Sequence, residues 1–478
     1  MSVAVETIAV GAAVAASLGA VARTSTHRSI HVLGLPFLLV GWLGLLAALA
    51  PSSVHRLWFP LGAATLIGLG LGLLLAGRLR GQEQWLLAAG AAVLTVRLPV
   101  PTGDGVAMLL APLYVVIGVG ALVLLRSELA MIPTSGPRLP DRGGSTRLLD
   151  IGAAAIPVLA SLSLIWSIDR PASVQVLGLF LVPFILLYAL VRAWLSVGVQ
   201  LRPAAFVLVA SALLAALIGL AQAATRTVWW NPKVIDANRF RADFRTNSLF
   251  WDPNIYGRAL VVAILAIVGW LLVTRAGRGQ LAAAIAALAV LVGALWNTYS
   301  QSSWAALATA LVLLAVLTLP ARMRRWVSFV IIIGVLVAMP VAFERLAGDD
   351  ASGRQDVVRT GLALAAERPL VGYGIGTFET AARDRARKQG DRTPRLVASH
   401  TTPITVIAEL GVLGAFAWLL LITSAMAAVL ARWRRSAGPS TAVIPGWPIA
   451  PVAWASAVFA AIMAHSLLYA GFFEDATM

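Results

Sequence analysis

The stretch Ile255-Tyr256-Gly257-Arg258-Ala259-Leu260-Val261-Val262-Ala263-Ile264-Leu265-Ala266-Ile267-Val268-Gly269-Trp270-Leu271-Leu272-Val273 decides the fold. As an α-helix, nineteen residues rise about 28 Å, close to the roughly 30 Å hydrocarbon core of a bilayer. Arg258 is its only charge, one turn from the start. Similar runs recur on both sides of it, at about 5–22, 31–50, 60–76, 84–97, 106–125, 151–166, 173–192, 204–224, 281–296, 303–319, 327–343, 403–430 and 448–470. Segments exposed to lipid must satisfy their own backbone hydrogen bonds, so these are helices. The expected fold is an all-α polytopic membrane protein with about fourteen transmembrane helices (range 12–14). The runs at 84–97 and 151–166 are short for a span.

Composition agrees. Hydrophobic residues make up 59% of 478 positions and charged residues 12%, where soluble domains carry about 25% charge. There is no cysteine, which excludes disulfide and thiol chemistry. No basic region precedes the first apolar run, and Glu6 stands where a cleavable signal peptide has arginine. The net charge of +16 does not point to nucleic acid, because most of the excess sits in short loops between spans. Alternate loops hold Arg23 and Arg28; Arg78 and Arg80; Arg126, Arg138, Arg142 and Arg147; Arg192 and Arg202; Arg275 and Arg278; Arg322, Arg324 and Arg325; Arg432, Arg434 and Arg435. Against them stand Glu83, Glu128, Asp141 and Asp150. By the positive-inside rule this set is cytoplasmic. The chain is expected in the bacterial inner (plasma) membrane, with 127–150 as a cytoplasmic linker.

The opposite face carries two long loops, 225–254 and 344–402. Loops of this length are functional or disordered, and Trp229, Trp230, Phe240, Phe250, Trp251, Tyr373 and Phe378 argue for order. The chain divides into N-terminal helices and linker over 1–150 and a second part over 151–478 that contains both loops. The larger loop is expected to hold a membrane-parallel helix.

Chemistry concentrates in these loops. Ser399-His400-Thr401-Thr402-Pro403 runs into Ile404 through Gly411, with Pro403 placed as a first helical residue and Thr401 or Thr402 as cap. His400 then faces a helix N-terminus, an anion site whose dipole favours neutral imidazole; the plain alternative is a capping histidine. Glu409, under two turns on, is an ionisable group facing the bundle interior or the interface, and equally suits a structural ion pair. Arg354 and Arg359 begin an amphipathic stretch over 355–367; arginine binds phosphate bidentately, although a solvated pair explains a lone one. Gly372-Tyr373-Gly374-Ile375-Gly376 looks like a dinucleotide loop but lacks a strand–helix unit around it, so a tight turn re-entering the membrane surface is expected. Asp252-Pro253 reads as cap and first residue of another helix. Arg241, Arg245 and Asn254 lie beside it, with Arg258 one turn inside. His465 reads as a packed, hydrogen-bonded histidine. No metal-ligand motif occurs, and neither metal nor cofactor is expected.

Four stretches in this order resemble the O-antigen ligase and O-antigen polymerase superfamily of bacterial membrane glycosyltransferases, over about 150–478. They are Ser163-Leu164-Ile165-Trp166-Ser167; Arg245 through Asn254; Ser352-Gly353-Arg354 with Arg368-Pro369-Leu370-Val371-Gly372-Tyr373-Gly374; and His400 through Gly414. The chain departs from the family at Tyr299-Ser300-Gln301-Ser302-Ser303, where members often carry Ser-Arg, and after Glu474-Asp475, where a further helix is expected. The resemblance implies a GT-C-like fold and transfer of a glycan from a polyprenyl-diphosphate-linked donor to a glycan or lipid-anchored acceptor hydroxyl outside the membrane. His400 would be the catalytic histidine, Glu409 would orient it or act in its place, and Arg245 and Arg354 would bind diphosphate, with Arg359, Arg241 and Asn254 nearby. The competing readings are the related peptidoglycan-polymerising family and a lipid-linked glycan flippase or other secondary transporter. A transporter would place charges at mid-membrane and show an inverted repeat.

Overall fold

The computed structural model describes residues 2–50, 70–94, 98–102, 105–132, 139, 143–240, 243–318, 323, 325–326, 329–330, 349–390, 401–436 and 450–469. Ten helices among them are long and apolar enough to cross a membrane. In chain order the helices are α1 (Val3–Arg23), α2 (Arg28–Leu49), α3 (Gly70–Leu79), α4 (Glu83–Val93), α5 (Ala111–Met131), α6 (Gly144–Leu162), α7 (Arg170–Ser196) and α8 (Arg202–Thr225). They continue with α9 (Pro232–Phe240), α10 (Pro253–Val273), α11 (Arg278–Trp296), α12 (Gln301–Thr318), α13 (Asp349–Glu367), α14 (Phe378–Lys388), α15 (Thr402–Ser436) and α16 (Ala450–Leu468).

Ten of the fourteen expected spans are thus seen among the described residues. The run at 60–76 lies largely, and that at 327–343 almost wholly, outside the described residues. The run at 84–97 yields α4, whose 11 residues rise only about 16 Å. Residues 98–102 and 105–109 form an antiparallel hairpin. Pro99 and Pro101 have no N–H to give a helix, and Val100, Thr102 and Val106 favour strand. The next span therefore starts at Ala111 rather than near 106.

Small residues let the spans approach. In α1 and α2 a Cβ on Gly19 would meet Leu38 N at 2.6 Å, and one on Gly41 would meet Ala16 N at 2.5 Å. The two backbones touch, as expected where packing rather than hydrophobicity joins helices in lipid. Helix α7 shows how a broken ladder is repaired. It contains a π turn over Leu177–Leu181, with Val182 N bonded to Leu177 O, and Pro183 has no N–H to offer. The stranded carbonyls of Gly178 and Leu179 accept from Trp42 Nε1 at 2.8 Å and Tyr114 OH at 2.7 Å. Lipid offers no substitute partner.

Two apolar cores result. One joins α1, α2, α5, α6 and α7 with both halves of α15. The other joins α8, α10, α11, α12 and α16. Ion pairs mark the two ends of the first. Glu6 pairs with Arg170 at one end of α1. Arg23, seventeen residues and about 26 Å along the same helix, pairs with Glu128 at 2.7 Å. His31 Nε2 lies 3.9 Å from Glu128, and Arg192 pairs with Asp150 at 3.3 Å, with Tyr188 OH donating to that carboxylate at 2.6 Å. Glu128 and Asp150, two of the acids in the arginine-rich loop set, thus join helices at the expected cytoplasmic end.

Candidate functional site

Three of the four motif stretches interlock at the Glu6–Arg170 end. Helix α15 is broken at Gly411, whose φ of 66° and ψ of −161° are not helical. The break leaves carbonyls of its first half and N–H groups of its second half without helical partners. The Pro369–Gly374 loop supplies both. Tyr373 N donates to Ala408 O at 3.1 Å and Gly374 N to Glu409 O at 2.8 Å. Val412 N donates to Pro369 O at 2.8 Å. The approach is close enough that a Cβ on Gly372 would lie 2.3 Å from the Glu409 carbonyl carbon, and one on Gly411 2.3 Å from that of Leu370.

The Glu409 carboxylate continues the lock. It is 4% exposed and accepts from Gly376 N at 2.8 Å and Phe378 N at 3.0 Å. An anion at the first N–H groups of α14 is favoured by charge and geometry together. On the other side Ser163 Oγ accepts from Ile375 N at 3.0 Å, and Ser173 Oγ donates to Ile375 O at 2.5 Å. Trp166 Nε1 donates to Val371 O at 3.0 Å, and Thr380 Oγ1 to Asp169 Oδ2 at 2.8 Å. Outside this lock, Val357, Leu364, Phe378, Ala381 and Ala408 form a small third core that binds α13 and α14 to the start of α15.

The fourth stretch builds a second centre. Asp252 caps α10, its carboxylate accepting from Asn254 N at 2.7 Å, with Pro253 in the first turn. Arg245 Nε donates to Thr298 O at 2.9 Å, and Nη2 to Asn254 Oδ1 at 3.4 Å. Beneath them runs a chain of hydroxyls. Ser303 Oγ donates to Asn254 O, Ser300 Oγ meets Ser303 Oγ at 2.8 Å and Ser302 Oγ at 3.1 Å, and Ser302 Oγ meets His465 Nε2 at 3.2 Å. Arg258 is 1% exposed within α10.

Of the residues singled out in the sequence, the structure brings Arg245 and Asn254 together. It sets Glu409 against backbone N–H groups. Arg359 is 77% exposed on an i,i+3 pair with Asp356. Arg354 lies in the second turn of α13. His400 and Arg241 lie outside the described residues; the helix after His400 begins at Thr402, whose Oγ1 is buried without a hydrogen-bond partner among the described residues. His465 is packed and hydrogen-bonded as its position in an apolar span suggested. Among the described residues no three of His, Asp and Glu converge as metal ligands do.

Sequence reading missed Gln222, a lone amide in an apolar span. It holds Ser248 through both backbone groups, accepting from N at 2.8 Å and donating to O at 3.2 Å. An amide at that depth was itself a signal. It also missed Ser173, and it gave Ser163 a place in a motif stretch but no role, because hydroxyls in apolar runs usually bond back to their own helix.

Residues 286–419 match the family model described as O-Antigen ligase. No curated protein matches the chain. The matched segment contains the Asn297–Ser303 turn, the Pro369–Phe378 loop and the Gly411 break. It supports the resemblance to the O-antigen ligase and polymerase family, and with it a role in polysaccharide assembly by a multi-pass membrane protein.

Proposed function

We propose that the chain is a glycosyltransferase that moves or polymerises a glycan from a polyprenyl-diphosphate-linked donor onto an acceptor hydroxyl at the extracytoplasmic face of the plasma membrane, without a metal. The observation that carries this reading is the match of 286–419 to the O-Antigen ligase model, because that segment includes the loop and helix break that form the first centre.

The leaving group is a lipid diphosphate and needs charge stabilisation more than protonation. Arginines and helix N-termini supply it. Arg245 and Arg354 are the proposed diphosphate ligands, with Arg359 and Arg241 adding to the field and Asn254 holding the Arg245 guanidinium. The acceptor oxygen forms the new bond to the anomeric carbon as the bond from that carbon to the diphosphate oxygen breaks. The acceptor proton passes to neutral His400, the proposed general base, a role that contributes roughly 10²–10⁴-fold. Glu409 serves by position. Its carboxylate fixes the glycine loop against the helix that follows His400. A donor tail that stays in the bilayer suits this arrangement, since each buried CH₂ is worth about 0.8 kcal/mol.

The test is transfer in liposomes from a polyprenyl-diphosphate-linked glycan, with chelator present, for wild type, His400→Ala and Arg354→Ala. Transfer by wild type that both substitutions abolish supports the reading. Binding or translocation of the lipid-linked glycan without transfer favours a flippase and reduces His400 to a cap.

A further inference from the structure

We propose that His465 is a positioning residue for the Arg245–Asn254 centre, acting as a hydrogen-bond donor through the hydroxyls of Ser302, Ser300 and Ser303. The donor role rests on geometry alone. Its consequence for transfer rests on the reading of Arg245 as a diphosphate ligand.

Packing brings the histidine to that chain. Helix α16 packs along α12. Its Ala453, Ala457 and Ala461 are buried at a spacing of four, and His465 is the next residue on that face. On α12 the same spacing gives Ser302, Ala306 and Ala310, also buried. Small residues let the two backbones approach, and His465 meets Ser302 where the alanines end. The ring is fully buried and packs edge-on to Tyr469, with ring centres 5.6 Å apart. A histidine costs more than an alanine on such a face in lipid, so packing alone does not call for it.

A hydroxyl has one hydrogen to give and two lone pairs, and that count orients the chain. The Asn254 carbonyl can only accept, so Ser303 Oγ gives its hydrogen to Asn254 O at 3.4 Å. Ser303 Oγ then accepts from Ser300 Oγ at 2.8 Å. Ser300 Oγ already accepts from Ser303 N at 3.3 Å, so its second lone pair takes the hydrogen of Ser302 Oγ at 3.1 Å. With its one hydrogen placed, Ser302 Oγ can only accept from His465 Nε2 at 3.2 Å. Nε2 therefore carries a proton. The reverse order would leave Asn254 O without the Ser303 hydrogen.

The chain grips both supports of Arg245. The guanidinium donates to Thr298 O and meets Asn254 Oδ1. Asn254 ends the hydroxyl chain, and Ser300 N donates to Thr298 Oγ1 at 3.1 Å. Ser300 and Ser303 thus tie the turn before α12 to the start of α10. His465 sets the direction of that tie from a third helix. Support of this kind is what holds a functional side chain in one rotamer. A histidine that only fills space can be replaced by any side chain of its volume. One that donates can be replaced only by another donor at the same place.

The experiment uses the purified full-length protein carrying isotope-labelled histidine. The chain has five histidines, and the NMR difference against His465→Gln isolates one of them. Its ring-nitrogen shifts should show Nε2 protonated. In liposome transfer, with rates taken per monodisperse protein, His465→Met fills the space without donating and Ser302→Ala cuts the chain. Each should lower kcat about tenfold, near the net contribution of one hydrogen bond, with KM for the donor lipid within about twofold. His465→Gln keeps an N–H donor near the Nε2 position and should stay within about threefold of wild type. In an Arg245→Lys background, His465→Met should slow transfer no further, because residues that act through one another are not additive. An unprotonated Nε2 would reverse the chain and overturn the donor role. Full activity in both His465→Met and Ser302→Ala, His465→Gln as slow as His465→Met, or full additivity with Arg245→Lys would overturn the positioning role. Absence of wild-type transfer would remove the glycosyltransferase reading and the positioning role with it, while the nitrogen shifts would still decide the donor role.

Discussion

Gly374 donates its backbone N–H to the carbonyl oxygen of Glu409 at 2.8 Å, while the Glu409 side chain reaches on to Gly376 and Phe378. One residue thus holds the glycine loop with both its backbone and its carboxylate. Glu409→Gln keeps one acceptor oxygen but turns an NH₂ toward a second N–H group. Hydrogen bonds to a charged group contribute about 1.5–3 kcal/mol each. We expect Glu409→Gln to lower stability by about 2 kcal/mol and Glu409→Ala by more. Thermal unfolding in detergent checks this. Wild-type stability in Glu409→Gln would remove the locking role.

The glycines on either side of this contact make a sharper test. Gly372 and Gly411 have φ of 65° and 66°, and a Cβ on either would enter backbone of the other strand of the lock. Backbone cannot step aside as a flexible side chain can. Gly372→Ala and Gly411→Ala should each cost 3 kcal/mol or more, roughly a severe core lesion. Gly118, in the middle of α5, has no atom of the described residues within 4 Å of its Cβ position. Gly118→Ala should be neutral or stabilising by up to about 1 kcal/mol. Yield of monodisperse protein and melting temperature measure all three. Equal tolerance at the three positions would contradict the close approach.

The sequence showed this lock only in part. Apolar runs announced the spans, because helix length and hydrophobicity are local properties. Asp252-Pro253 announced the start of α10, because a cap is local too. That Glu409 would meet Gly376 depends on a chain reversal between distant segments, and nothing local encodes it. The break at Gly411 was equally hidden. A lone glycine in an apolar run normally passes as a helical residue, and its φ became evident only with Leu370 against it. The span at 84–97, and the start of the one expected at 106–125, were misjudged for a local reason, the prolines at 99 and 101, which favoured a hairpin between them. The hold on Ser248 was hidden too, since the Gln222 amide that grips it comes from the preceding span.

The Arg23–Glu128 pair predicts a different pattern. It is buried and bifurcated, with Nη1 at 3.0 and 2.7 Å from the two carboxylate oxygens. Removing one partner strands a charge and should cost about 3–5 kcal/mol. Removing both for residues of similar volume should recover most of it. Arg23→Met and Glu128→Leu should therefore each destabilise, and the double variant should unfold near wild type. The pair lies about 26 Å along α1 from Glu6, so glycan transfer by the folded double variant should persist. A double variant as unstable as the sum of the singles would show that the pair acts through other partners, His31 first among them.

Arg245 offers the most direct test of the second centre. Its guanidinium bridges Thr298 O and Asn254 Oδ1, two groups on different elements, and a planar fork does this where an ammonium cannot. Arg245→Lys keeps the charge and loses the fork. If Arg245 serves the diphosphate in the geometry set by that bridge, Arg245→Lys should lower kcat/KM in liposome transfer by roughly 10²-fold, near the loss from removing one preorganised charge-stabilising donor. Asn254→Ala, which leaves the guanidinium but frees one end, should fall between wild type and Arg245→Lys. Folding should be little affected in Asn254→Ala, because Asp252 still caps α10. The order of the three rates carries the argument. Arg245→Lys as active as wild type would mean that only net charge matters there, and the bridge to Thr298 and Asn254 would then be a feature of the fold alone.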